Sequence, residues 1–328
     1  MSTIKKPFIA GITALTLAGL LCNPAAAADK ASLRLNFLLS GVHTIFYLGK
    51  SAGAYSAENI DLDIGEGQGS VRTVQTVANG GDTFGLADGG SVIAGAARGA
   101  PVISIMGILN KSPYGISFRA ESGVKTIKDI EGKVIAASAG EASLALLPAL
   151  WKVNGIDGTK VRTLNVDGAG KIVAILQKRV DGILAGLENQ VVVLAQKGLE
   201  QKVFAFADLG LNTEGLTILV TRSTLTDKPD LAARFVRATR AAIQMAKQDP
   251  DKAVAAALAE KPQADKDLLK AQLLASLDLL ESPDAKGKPL GYMAPQDWTR
   301  TLDLMKQYQD VATELAPTAF YTNQLVEK

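Results

Sequence analysis

The amino-acid sequence predicts an α/β protein built as two lobes, each a mainly parallel sheet flanked by helices. Two series of alternating strand and helix patterns carry this prediction, one in residues 32–109 and one in residues 134–207. Strands that alternate with helices form parallel sheets through right-handed crossovers. A third observation is that helical patterns alone fill the chain after residue 226. The 328 residues are 47% hydrophobic and 21% charged, which is enough for two domains.

The first 28 residues have the pattern of a secretory signal peptide. Two lysines precede an uncharged apolar run, residues 8–21, and four alanines, residues 25–28, supply the small side chains that cleavage requires. The apolar run is too short for a membrane-spanning helix. Cys22 raises the alternative of a lipoprotein, but the preceding Leu21 is larger than the residue normal at such a site. We therefore expect cleavage at the end of the alanine run and export to the periplasm.

The composition left after this cleavage excludes several classes of function. Cleavage would remove two of the 35 basic residues and none of the 33 acidic ones, so the mature chain has no net charge with histidine neutral. Such a chain has no basic excess to attract nucleic acid or an anionic membrane. It also loses the single cysteine and keeps one histidine, His43. A disulfide, a thiol nucleophile and a multi-histidine metal centre are therefore excluded, and no cofactor is expected.

The first series reads as four strands with helices between them. Residues 60–64 alternate apolar and acidic side chains, which predicts a strand with one buried face. Ile45, Leu48 and Ala52 recur at helical spacing before that strand. Residues 102–109 are almost continuously apolar, as expected for a strand in the centre of a parallel sheet. The predicted strands are residues 32–39, 60–64, 83–87 and 102–109.

The second series and the tail predict how the chain divides into lobes. The tail helices pack most simply on the first sheet, so the chain must leave that lobe and return to it. We expect crossovers near Phe118 and Thr217, which act as hinges. The first lobe is then residues 29–118 plus 217–328, and the second lobe is residues 119–216.

Several stretches match, in order and spacing, the motifs of one known family. They are HTIFY at 43–47, ENIDLDI at 58–64, GQGS at 67–70, FGLAD at 84–88 and IKDIEGK at 127–133, with Gly49 in place of the usual alanine and Asp82 one position early. In these motifs the chain resembles the periplasmic solute-binding proteins of ABC importers, in the group that binds thiamin-pyrimidine precursors, nitrate, taurine and alkanesulfonates. The resemblance covers nearly the whole mature chain. It implies the type II fold of these proteins, in which two lobes close on a ligand in the cleft.

Loops after the strands of the first lobe supply one set of candidate ligand-binding residues. His43 follows the first strand and either contacts ligand or holds its loop. Gln68, Gly69 and Ser70 open a helix whose free N–H groups suit an anion or a carbonyl, and Ser70 is also the expected N-cap. Asp88 either binds a ring N–H or an amine, or caps the next helix.

Three further candidates lie near the ends of strands in the first lobe. Phe37 stands where relatives often have tryptophan, and it either stacks on a flat ligand or packs in the core. Tyr114, beside the crossover, is a second stacking candidate. Asn110, at the end of the fourth strand, is a weaker candidate for a ligand contact.

The resemblance implies that the second lobe supplies the ligand-binding residues on the opposite side of the cleft. The corresponding turn there contains Ser138, Gly140, Glu141 and Ser143, and the alternative is a plain helix start. Glu141 would disfavour a free anion. The other candidates, Glu188 and Asn189, follow a strand and are either ligand contacts or a solvated loop.

The resemblance implies a non-enzymatic receptor that captures a small solute and delivers it to a membrane permease with its ATPase. It favours a thiamin pyrimidine precursor or a related heterocycle as the ligand, with sulfonate, nitrate and aromatic carboxylate as alternatives. A monomer is expected. The competing classes are a thiamin-pyrimidine synthase, which the lost cysteine disfavours, and a sensor domain. A serine hydrolase is disfavoured because no Gly-x-Ser-x-Gly motif is present.

Overall fold

The computed structural model describes residues 1–3, 27–138 and 141–327 of the chain. The predicted signal peptide therefore falls almost entirely outside the described residues, as does Gly140. Within these ranges, no helix combines the length and the apolar character that crossing a membrane requires.

The first sheet has five strands in the order β2-β1-β3-β10-β4. Neighbouring strands β1, β2 and β3 are parallel, and β10 pairs antiparallel with both β3 and β4. Four strands therefore share one direction and β10 opposes them. These strands are β1 (Asp29–Arg34), β2 (Ile60–Gly65), β3 (Phe84–Asp88), β4 (Val102–Gly107) and β10 (Leu216–Thr221).

The second sheet has the same form, in the order β7-β6-β8-β5-β9. Strand β6 is parallel to β7 and β8, and β5 pairs antiparallel with β8 and β9. The predicted α/β class with two mainly parallel sheets is confirmed, with one reversed strand in each sheet. The strands are β5 (Tyr114–Arg119), β6 (Val134–Ala137), β7 (Arg162–Asn165), β8 (Gly182–Gly186) and β9 (Gln201–Ala205).

Helices flank both sheets. In the first sheet's region they are α1 (Thr44–Ser51), α2 (Ala54–Ala57), α3 (Ser70–Ala78) and α4 (Gly89–Ala97). In the second they are α5 (Ala142–Ala145), α6 (Leu147–Asn154), α7 (Gly168–Leu176) and α8 (Gln190–Gln196). The tail contains α9 (Arg222–Asp227), α10 (Pro229–Gln248), α11 (Pro250–Glu260), α12 (Lys266–Leu277) and α13 (Pro295–Tyr308).

The chain crosses between the sheets earlier than the sequence predicts. Strand β5 contains Phe118, yet it pairs only with strands of the second sheet. The crossover therefore lies between Gly107 and Tyr114, and the prediction near Phe118 is wrong. An apolar strand pattern does not reveal which sheet the strand joins. The return crossover leads into β10, close to the predicted Thr217.

Strand β4 is not central, although its six residues are all buried. It lies at the end of the sheet order, and the C-terminal segment covers its free edge. The Ser104 amide donates to the Phe320 carbonyl over 2.9 Å, and the Thr322 amide donates to the Ser104 carbonyl over 2.9 Å. Burial by this segment explains the apolar run that suggested a central position.

The tail helices hold the first lobe together and also contact the second. Helix α1 contacts both α10 and α11, and the Phe235 ring stacks on Phe84 with centroids 3.8 Å apart. Helix α12 contacts α8, and α13 contacts both α4 and α6. The tail helices therefore pack against elements of both lobes, whereas the sequence predicted that they pack on the first sheet alone.

Candidate functional site

Two adjoining cavities lie where the strand-end turns of the two sheets face each other. The main cavity, of about 640 Å³, contains turns that follow β2 and β3 on one side and β6 and β8 on the other. The side cavity, of about 450 Å³, extends toward α4 and α13. Asp88, Tyr114 and Glu141 line both cavities, so the two form one continuous cleft. In open α/β sheets, ligands bind at these carboxyl ends of strands.

The Gly-rich turn lines the main cavity, but Ser70 does not cap the helix as the sequence suggests. Gly69 occupies the N-cap position of α3, with φ 112°, a conformation that favours glycine. The Ser70 hydroxyl accepts a hydrogen bond from the Asp88 amide over 3.2 Å, which ties α3 to the end of β3. The Gln68 side-chain oxygen accepts from Arg72. This turn therefore reaches the cavity with its side chains already bonded.

Asp88 lies on the same wall and caps α4. One carboxylate oxygen accepts from the Ser91 amide and the other from the Ser91 hydroxyl, each over 2.8 Å. The capping interpretation thus describes its bonding, while its position on both cavities leaves it within reach of a ligand.

Tyr114 stands between the two cavities, at the start of β5. Its ring packs edge-on to Phe206 with centroids 6.5 Å apart. Burial, together with the nearby Asp88, Glu188 and Glu141 carboxylates, raises the pKa of the Tyr114 hydroxyl well above its ordinary value. The phenol is therefore a neutral hydrogen-bonding group, and the ring is placed to contact a flat ligand.

The second wall is built around a buried ion pair. Lys171, only 3% exposed, places its ammonium 2.5 Å from Glu141 and donates to the Leu184 carbonyl over 2.9 Å. Glu141 also accepts from the Ser138 amide over 3.1 Å, which shapes the turn before α5. The Ser138 hydroxyl is buried and has no hydrogen-bond partner within the part of the chain that the structure describes, and Ser143 lines the main cavity.

Glu188 and Asn189 follow β8 on this wall and both line the main cavity. One Glu188 oxygen is buried and has no hydrogen-bond partner among the described residues. Burial raises the pKa of Glu188 to about 7. Asn189 accepts from Gln272 over 3.1 Å, and Gln272 in turn accepts from the Gly41 amide over 3.1 Å. Gln272 therefore links the second wall to the loop before α1.

His43, Phe37 and Asn110 line neither cavity. The buried His43 ring accepts from the Ser40 amide over 3.0 Å and lies 2.8 Å from the Asn36 amide oxygen, so both ring nitrogens are bonded. Phe37 is 53% exposed, and it neither packs in the core nor reaches the cleft. Asn110 is buried and donates to the carbonyls of Leu280 and Tyr292, which anchors the crossover to the tail.

Four charged residues that line the cleft were not singled out from the sequence: Arg72, Arg98, Lys171 and Glu214. Lys171 and Glu214 are the buried ones. Glu214 lines the side cavity and is 2% exposed. No local pattern distinguishes either from a solvated charge, because their burial depends on packing between distant segments.

The cleft combines acidic and basic side chains. Asp88, Glu141 and Glu188 line the main cavity, where Arg72 and Lys171 are the basic residues. Both of these cations are bonded, to Gln68 and Glu141 respectively. Among the described residues, no group of three or more potential metal ligands is present. The carboxyl groups and the Tyr114 ring therefore suit hydrogen-bond donors and flat rings, while Arg72, bonded to a neutral amide, and Arg98 of the side cavity keep their positive charge.

The comparisons with known proteins agree with this geometry. Residues 40–253 match the family described as NMT1/THI5 like. The riboflavin-binding protein RibY of Chloroflexus aurantiacus is 26% identical over 91% of this chain and 86% of its own. A 4-amino-5-hydroxymethyl-2-methylpyrimidine phosphate synthase of Legionella pneumophila is 28% identical, covering 72% of this chain and 75% of its own. The formylaminopyrimidine-binding protein of Halalkalibacterium halodurans is 22% identical, covering 84% of each.

Solved structures share the fold. The periplasmic aliphatic sulphonate binding protein SsuA of Escherichia coli superposes with a TM-score of 0.70 over 88% of this chain and 91% of its own, at 16% identity. The resemblance to periplasmic solute-binding proteins that the sequence motifs indicated is thereby confirmed at the level of fold.

Proposed function

The chain belongs to the NMT1/THI5-like family, and from this premise we propose that it is the substrate-binding component of an ABC importer. It captures a small solute between its two lobes and presents it to a membrane permease that works with an ATPase. The observation that carries the proposal is the cleft itself. Turns from two separately formed sheets meet around it, and Glu188 places at its wall a carboxyl oxygen that no other described residue bonds. Binding in such a cleft requires a few polar contacts and the exclusion of water.

The proposed location is the periplasm. The support is the leader-like sequence of the first 28 residues and the periplasmic binding protein whose fold this chain shares. We propose that the mature chain acts there as a monomer.

The proposed ligand is a neutral or cationic heterocycle that donates N–H bonds, with a thiamin pyrimidine precursor as the first choice. Carboxylates accept such bonds, and the Tyr114 ring offers a surface for stacking. Sulfonate, nitrate or carboxylate ligands would instead meet Asp88 and Glu188, while Lys171 is already paired with Glu141 and Arg72, which is exposed, is the other cation of this cavity. The pyrimidine and flavin names of two relatives are consistent with this class of ligand.

A panel of ligands in a thermal-shift experiment tests the proposal. An aminopyrimidine, riboflavin, an alkanesulfonate and nitrate are each added to the purified protein. A bound ligand at 100 times its Kd stabilises the protein by roughly 2.7 kcal/mol, which raises Tm measurably. Stabilisation by a heterocycle and by neither anion is expected. Stabilisation by a sulfonate alone would contradict the proposed ligand class.

Mass spectrometry of the recovered ligand separates a receptor from an enzyme. The relative from Legionella pneumophila is named as a synthase, so conversion must be examined directly. A receptor returns the heterocycle unchanged after prolonged incubation. Product that accumulates with time would overturn the receptor proposal.

A further inference from the structure

Glu214 is a buried acid with no partner for its carboxyl group. Its side chain is 2% exposed, and neither carboxyl oxygen has a hydrogen-bond partner among the described residues. Its backbone amide donates to the Thr301 hydroxyl over 2.8 Å. Buried carboxyl groups are nearly always paired, because an unbonded one loses its hydration without compensation.

A neighbouring acid shows how this region satisfies a carboxylate that serves the fold. Asp297 is fully buried, yet it accepts from Asn212 over 2.7 Å, from Arg300 over 2.9 Å and from Ser282 over 2.5 Å. Asp297 also raises the pKa of Glu214, which burial already places well above its ordinary value. The protein therefore bonds one acid fully and leaves the carboxyl of the other unbonded beside a cavity.

The side cavity is the space beside Glu214, and it has room for part of a ligand. Its volume is about 450 Å³, and it adjoins the main cavity through the shared residues Asp88, Tyr114 and Glu141. Gly89 makes space for Glu214, because a Cβ at residue 89 would lie 2.8 Å from the Glu214 side chain. Apolar side chains such as Val71, Ala94, Leu144 and Met305 form part of the lining, and Arg98 and Gln309 are among its polar members.

We propose that the side cavity is a second subsite, in which Glu214 binds a hydroxyl- or amino-bearing substituent of the heterocycle held in the main cavity. The proposal rests on the proposed function, and it adds that the ligand has two parts. A hydroxyl or an amino group can donate a hydrogen bond to a carboxyl oxygen of Glu214 in either protonation state. A hydroxyl can also accept a hydrogen bond from the protonated acid. A phosphate or sulfonate substituent is disfavoured where it would lie against the Asp88 and Glu141 carboxylates, although Arg98 also lines this cavity.

Matched pairs of probes test the subsite. Lumichrome and riboflavin share a ring system, and only riboflavin carries a hydroxylated chain. Aminopyrimidines with and without a hydroxymethyl group form a second, smaller pair. Titration calorimetry measures Kd for each probe with the wild type, Glu214→Gln, Glu214→Leu and the control Glu200→Gln, which changes an exposed carboxylate outside both cavities.

The wild type and Glu200→Gln are expected to bind the substituted member of a pair about tenfold more tightly than the bare ring, the effect of one hydrogen bond to a desolvated group. Glu214→Leu reduces that preference to about twofold or less, and Glu214→Gln lies between because an amide still bonds a hydroxyl. The bare ring binds all four proteins equally. In the ligand-free state, Glu214→Gln melts no lower than the wild type, because it removes an acid that nothing stabilises.

Two outcomes would contradict the proposed subsite without contradicting the proposed receptor function. One is an unchanged preference for the substituted probe in Glu214→Leu and Glu214→Gln. The other is an equal loss of affinity for the bare ring and for the substituted probe in the Glu214 variants, together with a lower Tm for Glu214→Gln. That result would make Glu214 a structural residue. Failure of every probe to bind the wild type would instead overturn the proposed ligand class, and the subsite with it.

Discussion

The two walls of the main cavity differ in how their polar groups are bonded. On the first-sheet wall, Ser70 bonds the Asp88 amide and Asp88 bonds Ser91 twice. On the second-sheet wall, Glu188 has a buried oxygen with no hydrogen-bond partner in residues 27–138 and 141–327. Lys171 and Glu141 neutralise each other there. The first wall is thus internally satisfied, and the second keeps bonding capacity for something else.

This difference separates residues that hold the cleft from residues that select its ligand. A group whose bonds are all made inside the protein stabilises the fold and offers a ligand mainly its surface. A desolvated group without a partner lowers stability until a ligand bonds it. We therefore expect substitutions on the first wall to cost stability and substitutions at Glu188 to cost affinity.

The largest effect is expected from Lys171→Met, which leaves Glu141 without its cation. Breaking a buried pair by removing one partner costs about 3–5 kcal/mol, and Lys171 is nearly fully buried. Urea unfolding of the ligand-free protein measures the change. The control is Lys160→Met, whose exposed pair with Glu131 contributes about 0–1 kcal/mol. Equal losses in the two variants would show that the pair does not support the second wall.

The protonation of His43, which holds the loop next to the first wall, is expected to make the unfolding free energy depend on pH. Burial lowers the pKa of His43 to about 4, from an ordinary value of 6.5. As pH falls from 6.5 to 4, the unfolded chain takes up a proton that the folded chain does not, so folding is destabilised by up to about 3 kcal/mol. Urea unfolding across this range measures the slope, and His43→Gln should remove it. A slope that persists in His43→Gln would assign it to other groups.

A smaller change in the unfolding free energy is expected from Asp88→Ala, and Glu188→Gln is the variant to compare with it. Loss of the α4 cap lowers the unfolding free energy by about 1 kcal/mol. Glu188→Gln should not lower it, because the amide avoids the cost of a buried charge. The pKa of Glu188 is raised from 4.5 to about 7, so the wild type loses stability as pH rises through this range. Glu188→Gln should therefore gain relative to the wild type between these pH values, and a relative loss would contradict the assignment.

The most local effect is expected from Gln272→Ala, which removes the link between Asn189 and the Gly41 amide. Loss of these two hydrogen bonds lowers stability by about 1–3 kcal/mol. Amide hydrogen exchange should quicken at Gly41 and around Asn189 while the sheets stay protected. Uniform loosening of both sheets would mean that Gln272 supports the core rather than the link.

Much of the fold could be predicted from local patterns, since the two strand–helix series and the all-helical tail are regular. The position of β5 could not, because its apolar residues fit either sheet. Likewise β4 looked central because it is buried, although the C-terminal segment is what covers it.

The site was predictable where it follows from topology and not where it follows from side-chain pairing. The turn at Gln68, Gly69 and Ser70 lies after a parallel strand, and it lines the cavity. His43 also follows a strand, but its ring bonds Ser40 and Asn36, which no spacing reveals. Glu214 depends on space left by Gly89, a contact between distant segments.

Titration calorimetry with the heterocycle that stabilises the wild type most tests the central claim, that the second wall selects the ligand. The same heterocycle is titrated into the wild type, Glu188→Gln and Asp88→Asn. We predict at least a tenfold rise in Kd for Glu188→Gln and less than about a threefold rise for Asp88→Asn, the difference being one hydrogen bond to a desolvated carboxyl. A tenfold loss in Asp88→Asn with unchanged binding by Glu188→Gln would contradict the account.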